Sequence, residues 1–162
     1  QNGADGHVDA HTQRVGAADD LQQAGLRQLL GLIQDCCQRA AEYDSLGALR
    51  QPLEQHVARL TSVTQALLGD LMAGKVNQVL ANSALYLKVF GHAVIGWRWL
   101  EQAIRAEQGL ARTDNAEEQA FYRGKLQAAR YFLTWEVPAC AHELALLEAR
   151  DDTCLGMQDA WF

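Results

Sequence analysis

Histidine and carboxylate side chains are the groups in this sequence that could ligate a metal, and their spacing argues against such a site. A di-iron centre in a helical bundle needs paired Glu-x-x-His motifs that project inward. No Glu in the chain is followed three residues later by His; Glu143, for example, is followed by Leu146. His7 and His11 flank Asp9 in a glycine-rich stretch that we interpret as a solvated tail. No metal site is therefore predicted.

Nucleophilic, phosphotransfer and nucleotide-binding chemistry are not indicated either. Cys36 and Cys37 lie on an apolar helix face without a neighbouring Lys or His that would lower the pKa of a thiol, which favours small core residues. The segment HAVIG that begins at His92 lacks the basic neighbours of a phosphotransfer histidine, so a packed histidine is predicted. The chain contains no G-x-G-x-x-G, P-loop or G-x-S-x-G motif. We predict no catalytic and no cofactor-binding residue.

Composition narrows the classes of partner. The 162 residues include 14 basic and 20 acidic side chains, a net charge of −6 that argues against nucleic acid and against charge-driven docking on an anionic membrane. No apolar run approaches the roughly 20 residues of a membrane span. The four cysteines form no C-x-x-C pair, which favours free thiols in a reducing compartment, and we expect a cytoplasmic protein. Because the chain begins at Gln1 and not at Met, we expect a piece of a longer protein.

Apolar residues spaced three and four apart predict four long helices between two tails. We expect tails at 1–19 and 151–162, and helices at about 20–43, from 49 or 51 to 73, and at 76–110. A turn is expected at 44–47, and a loop and start signal at 111–118 precedes a fourth helix that runs to about 150. Pro52 is expected in the first turn of the second helix, Asp114 and Glu117 as a capping pair, and a kink at Pro138. The pattern predicts an all-α, up-and-down four-helix bundle over residues 20–150 with a flexible N-terminal segment.

The third predicted helix is apolar on more than one side, which is more than a bundle core requires. Its surplus contains aromatic residues, which are enriched at interfaces. We predict an interface formed by Tyr86, Val89, Ile95 and Trp99, through which the isolated chain should self-associate. Gly91 and Gly96 are predicted to permit close helix approach, and a change of Gly91 to Leu is expected to overfill a crossing.

Two segments carry aromatic residues and glycines at distinctive spacing. The first contains Ala81 or Asn82, Tyr86, Leu87, Phe90, Gly91, Gly96 and Trp97. The second contains Phe121, Tyr122, Lys125, Ala129, Arg130, Tyr131 and Phe132, followed in the same helix by Pro138. Over about residues 45–150 the chain resembles the C-terminal helical domain appended to a bacterial subgroup of acyl-CoA dehydrogenases, which includes the enzymes acting on methylthio-propionyl-CoA.

The resemblance implies a parent flavoprotein that oxidises acyl-CoA to enoyl-CoA, with a carboxylate taking the α proton and FAD taking the hydride. The residues for this chemistry would lie in the preceding catalytic body, so none is assigned here. The domain would be non-catalytic and serve packing, an oligomer interface or the shaping of substrate access. Its partners would be the catalytic body and a second copy of the chain. The alternative is a free-standing adaptor or signalling module whose bundle binds a partner helix or a small ligand.

Overall fold

The computed structural model describes residues 24–161, and the secondary structure in this range is helical throughout. The helices are α1 (residues 24–40), α2 (Asp44–Met72), α3 (Val76–Ala81), α4 (Ser83–Leu110), α5 (Ala116–Tyr131), α6 (Val137–Ala139) and α7 (Ala141–Ala149). A π-helical turn at Phe132–Glu136 joins α5 to α6, and a 3-10 turn spans Asp159–Trp161. The predicted all-α bundle is confirmed. The predicted tail at 1–19 and the start of the first helix lie outside the described residues.

The chain divides into two compact units, Gln1–Asp35 and Cys36–Phe162. In the first, the described residues 24–35 belong to α1. In the second, α4 is the central element, because it contacts α2, α5 and α7. The core of this unit is built from aliphatic side chains with at most 2% of their surface exposed, namely Leu53, Leu60, Val63, Val89, Leu100, Leu133, Val137, Leu144 and Leu147. Burial of this apolar surface is the main force that holds the helices together.

The second helix begins earlier than predicted. The segment at 44–47, expected as a turn, is the first turn of α2, and Pro52 therefore lies inside the helix. An internal proline costs about 3 kcal/mol because it removes a backbone hydrogen bond and crowds the preceding turn. Leu46 and Leu49 are buried by the added turns. Each fully buried leucine contributes about 1.5–3 kcal/mol, which is enough to offset the proline.

The third predicted helix is divided at Asn82, where φ −112° and ψ 23° leave the helical region. The Asn82 side chain donates a hydrogen bond of 2.6 Å to the backbone oxygen of Asp151, beyond the end of α7. Near the same place, Arg150 adopts a left-handed conformation (φ 52°) and its Nε donates to Asp70 of α2 at 3.0 Å. These polar contacts fix the end of α7 against α2 and the α3–α4 junction.

Of two features predicted for the fourth helix, the capping residue is wrong and the disruption at Pro138 is observed. The helix is capped by Asn115 and not by Asp114, because the Asn115 side-chain oxygen accepts the backbone N–H groups of Glu117 (2.9 Å) and Glu118 (3.1 Å). The predicted disruption at Pro138 is observed as the π-helical turn that directly precedes α6, and the chain leaves the helix again at Cys140. A proline has no N–H for the preceding turn, so the ladder of hydrogen bonds must rearrange there.

A close helix approach is observed at Gly96, as predicted, whereas the prediction for Gly91 is wrong. A Cβ added to Gly96 would lie 3.0 Å from Leu53 Cδ1 and 3.2 Å from Val137 Cγ2. A Cβ added to Gly91 would meet nothing within 4 Å. Gly96 is thus the position at which α4 approaches both α2 and α6, and Gly91 faces open space.

Candidate functional site

Tyr86, the first predicted interface residue, is half-buried at the edge of an apolar groove. Its hydroxyl is 2.8 Å from Thr64 Oγ1, and its ring stacks on Phe90 with centroids 6.2 Å apart. The groove has a volume of about 240 Å³ and lies between the end of α2, α3 and the start of α4. We call it the α2–α3 groove; its lining is Thr64, Leu67, Leu68, Leu71, Val79, Leu80, Ser83 and Tyr86.

The α2–α3 groove belongs to a larger apolar surface. Leu71 and Leu80 are 43% and 58% exposed, and the adjacent Met72 is 88% exposed. Val76, in the first turn of α3, is exposed as well. Exposed apolar side chains that lie singly need no explanation, but a contiguous group of them marks a surface that another molecule covers.

Val89, the second predicted interface residue, is fully buried, which corrects its assignment to an exposed face. Its carbonyl oxygen is 2.9 Å from Nε2 of His56, which is also buried. A carbonyl can only accept, so Nε2 carries the proton and donates. Burial lowers the pKa of His56, which holds the ring neutral, although the hydrogen bond to Val89 acts in the opposite direction. This contact is a polar link between α2 and α4 in the core.

Ile95 and Trp99 lie on a different face from Tyr86. Ile95 is 47% exposed, and the half-buried Trp99 ring lies 5.8 Å from the ammonium group of Lys125 on α5. The same ammonium lies 5.5 Å from the ring of Phe121. A cation over aromatic faces at this distance is attracted by their quadrupoles. The four predicted residues therefore do not form one surface.

Aromatic contacts continue along α5 and tie it to α4. His92 of α4 stacks on Phe132 with ring centroids 5.9 Å apart, and Tyr131 stacks on Trp135 at 6.3 Å. The Tyr131 hydroxyl donates a 2.5 Å hydrogen bond to Glu136, across the π-helical turn. We call this surface the α4–α5 face; it comprises His92, Ile95, Trp99, Phe121, Lys125, Tyr131, Phe132 and Trp135.

Part of both surfaces was not predicted from the sequence. Phe121, Tyr131 and Trp135 are all more than half exposed and were not assigned to an interface. Their spacing of ten and fourteen residues from Phe121 was the available signal, since it keeps them near one side of an α-helix. For the α2–α3 groove the signal was the run ALLGDLM at 66–72, which leaves the end of α2 almost without a polar face.

Three grooves on the described helices hold about 220–270 Å³ each, which is below the roughly 300–1,000 Å³ of ligand pockets, so none of these three fits a flavin. Between residues 24 and 161, no three His, Cys, Asp or Glu side chains are grouped to hold a metal ion. His7 and His11 lie outside that range. Among the helices described, none is long and apolar enough to cross a membrane.

The thiols fit core packing. Cys36, Cys37 and Cys140 are buried, and Cys154 is exposed. Burial, reinforced by the nearby Glu54 carboxylate, raises the pKa of Cys37 to about 12. Burial also raises the pKa of Cys140. A thiol whose pKa is raised is a poor nucleophile, so the predicted role of Cys36 and Cys37 as small core residues is confirmed by their burial.

Comparison with known proteins agrees with the resemblance found in the sequence. The family described as acetyl-CoA dehydrogenase C-terminal like matches residues 29–158. The broad-specificity linear acyl-CoA dehydrogenase FadE5 of Mycobacterium tuberculosis is 26% identical over 142 residues, which cover 85% of this chain and 23% of that protein. The chain thus spans less than a quarter of the curated relative that it matches. Because the family match extends over most of the helical region, the chain belongs to the acetyl-CoA dehydrogenase C-terminal-like family.

Proposed function

We propose that this chain is a non-catalytic helical domain of a FAD-dependent acyl-CoA dehydrogenase, and that the α2–α3 groove packs against the catalytic body of that enzyme. The observation that carries the proposal is the combination of the family match over residues 29–158 with an open apolar groove. FAD and the acyl-CoA substrate would be bound by the body. We also place the protein in the cytoplasm, an assignment supported by the spacing of its four cysteines, which form no C-x-x-C pair.

The chemistry of the groove supports a protein partner. Its walls are leucine, valine and one tyrosine, with Thr64 and Ser83 as the other lining residues. The Thr64 hydroxyl also lies 2.8 Å from the Leu60 carbonyl oxygen, in addition to its contact with Tyr86. A surface of this kind gains free energy by excluding water against aliphatic side chains and offers little to a charged metabolite. A volume of about 240 Å³ accommodates one or two side chains from a packed helix.

The catalytic body is the occupant that the comparisons favour. In the mycobacterial relative, 77% of the sequence lies outside the matched region, so this domain has a much larger covalent neighbour there. A free-standing adaptor would also use an apolar groove, and that alternative predicts a coding frame without a flavoprotein body. Whether the reading frame that contains this chain also encodes a flavoprotein body therefore distinguishes the two functions.

Hydrogen exchange tests the proposal. The whole reading frame and the chain alone should be expressed, and the backbone amides of residues 67–80 compared in both. We expect slower exchange of this segment and a bound flavin in the whole protein, and neither in the chain alone. The buried middle of α2, residues 53–63, serves as the internal reference. A frame that encodes no flavoprotein, or equal exchange of 67–80 in the two samples, would contradict the proposal.

A further inference from the structure

The α4–α5 face exposes an unusual amount of aromatic surface. Trp135 is 71% exposed, Phe121 60% and Tyr131 53%. Since a fully buried aromatic side chain covers about 150–250 Å², the open parts of these three rings amount to roughly 300–450 Å². A contiguous patch of roughly this size on a monomer is often functional, and tryptophan and tyrosine are the residues that dominate interface energetics.

Two opposite charges without an ion-pair partner stand toward the two ends of this face. The Lys125 ammonium lies over the rings of Trp99 and Phe121, and it forms no salt bridge with any described residue. The Glu136 carboxylate accepts the Tyr131 hydroxyl and likewise has no salt bridge within residues 24–161. Lys88, whose charge also acts on Glu136, is already paired with Glu143. At about 1.5 Å per residue, Lys125 and Glu136 are roughly 16 Å apart along the helix axis.

We propose that the α4–α5 face is a dimer interface, at which a second copy of the chain docks by the same face around a two-fold axis. In such an isologous contact, residue i of one copy meets residue j of the other, and j meets i. An antiparallel arrangement of the two α5 helices sets Lys125 of each copy opposite Glu136 of its partner. The rings of Tyr131 and Trp135, which lie between these two residues along the helix, then form the dry centre of the interface, and Phe121 extends it by one turn beyond Lys125.

Area and charge both support a second copy as the occupant. A stable interface covers about 800 Å² on each partner, and the three open rings already supply roughly half of that. Ile95, which is 47% exposed beside them, adds to the apolar centre. The face also carries both a positive charge (Lys125) and a negative charge (Glu136), so a second copy of the same face offers the complementary charges. The proposal is independent of the α2–α3 groove, which lies on other parts of α2, α3 and α4.

Charge reversal with the 162-residue chain tests the interface. Sedimentation velocity over a range of protein concentrations should be measured for the unmodified chain, for Lys125→Glu, for Glu136→Lys and for the double variant. Each single reversal places like charges opposite one another twice in the dimer, and we expect the dissociation constant to rise at least about tenfold. The double reversal restores opposite charges and should return it to within about threefold of the original value.

Two control variants test whether the effect is specific to the α4–α5 face. Arg123→Glu reverses a positive charge on another side of α5, and Leu80→Gln places a polar side chain in the α2–α3 groove. Neither variant should alter dimerisation. Circular dichroism of every variant should show the unmodified helix content, because all the altered side chains are at least partly exposed. A chain that stays monomeric at high concentration, single reversals that leave the dimer unchanged, or a double reversal that does not rescue it would each overturn the proposal.

Discussion

Substitution of Gly91 and Gly96, two of the three glycines on α4, by leucine tests the packing of the bundle directly. At Gly96 the new Cβ would already lie 3.0 Å from Leu53 Cδ1, and it would lie 3.6 Å from Leu133 Cδ2. Leu53 and Leu133 are both fully buried, so the rest of the leucine side chain has no space into which it can extend. Overpacking of this kind costs about 1–3 kcal/mol. Leucine also gains about 0.8 kcal/mol over glycine in helix propensity, so we expect Gly96→Leu to lose roughly 0.2–2 kcal/mol.

Gly91→Leu is the matched comparison, because the helix and the substitution are the same and only the surroundings differ. No atom lies within 4 Å of a Cβ built at Gly91, so only the gain in helix propensity remains. We expect Gly91→Leu to be neutral or stabilising by up to about 0.8 kcal/mol.

The assay is urea unfolding followed by circular dichroism at 222 nm, at one low protein concentration so that association does not contribute. The two variants should differ by roughly 1–3 kcal/mol in the free energy of unfolding. If Gly91→Leu loses as much stability as Gly96→Leu, or if Gly96→Leu is as stable as the unmodified chain, the assignment of the close crossing to Gly96 is refuted.

Three further predictions follow from the buried and capping groups. The pKa of His56 is lowered in the folded state, so below about pH 6.5 the unfolded chain binds a proton that the folded chain does not. The free energy of unfolding should therefore fall as the pH is lowered from 6.5 to 5. His56→Gln should flatten this pH dependence, whereas the same change at the exposed His142 should not. Asn115→Ala should cost about 1 kcal/mol in thermal or urea unfolding, and Asn115→Asp should cost much less because the carboxylate still accepts the helix N–H groups. A thiol titration with an aromatic disulfide at pH 8 should modify Cys154 rapidly in the native chain and the other three cysteines only after denaturation; rapid modification of Cys37 would contradict its burial.

Much of the fold could be predicted from local pattern. The apolar spacing at three and four residues identified the helical class, and the disruption at Pro138 followed from the missing N–H of proline. The start of α2 could not be found in this way, because the buried positions of Leu46 and Leu49 outweigh a proline that local rules place near a helix start. The break at Asn82 was hidden for a related reason, since its side chain bonds to Asp151, a residue far away in sequence.

The candidate surfaces were predicted only in part. The sequence indicates that the third predicted helix has more apolar surface than its core needs, and Ile95 and Trp99 do lie beside an open face. It could not assign Val89, because a helix that packs on several neighbours buries residues on more than one side. Tyr86 belongs to the groove beside α3, which exists only because the chain turns between α2 and α4.

The sequence by itself determined the helical class and, through spaced aromatic residues and glycines, the family. These properties depend only on residue type and on spacing along the chain, and both can be taken directly from the sequence. The tertiary structure decided which glycine is crowded, which aromatic rings stay open and where the unpaired charges of Lys125 and Glu136 stand. Each of these depends on which helix packs against which side of α4, and that choice is set by the summed burial of residues distant in sequence.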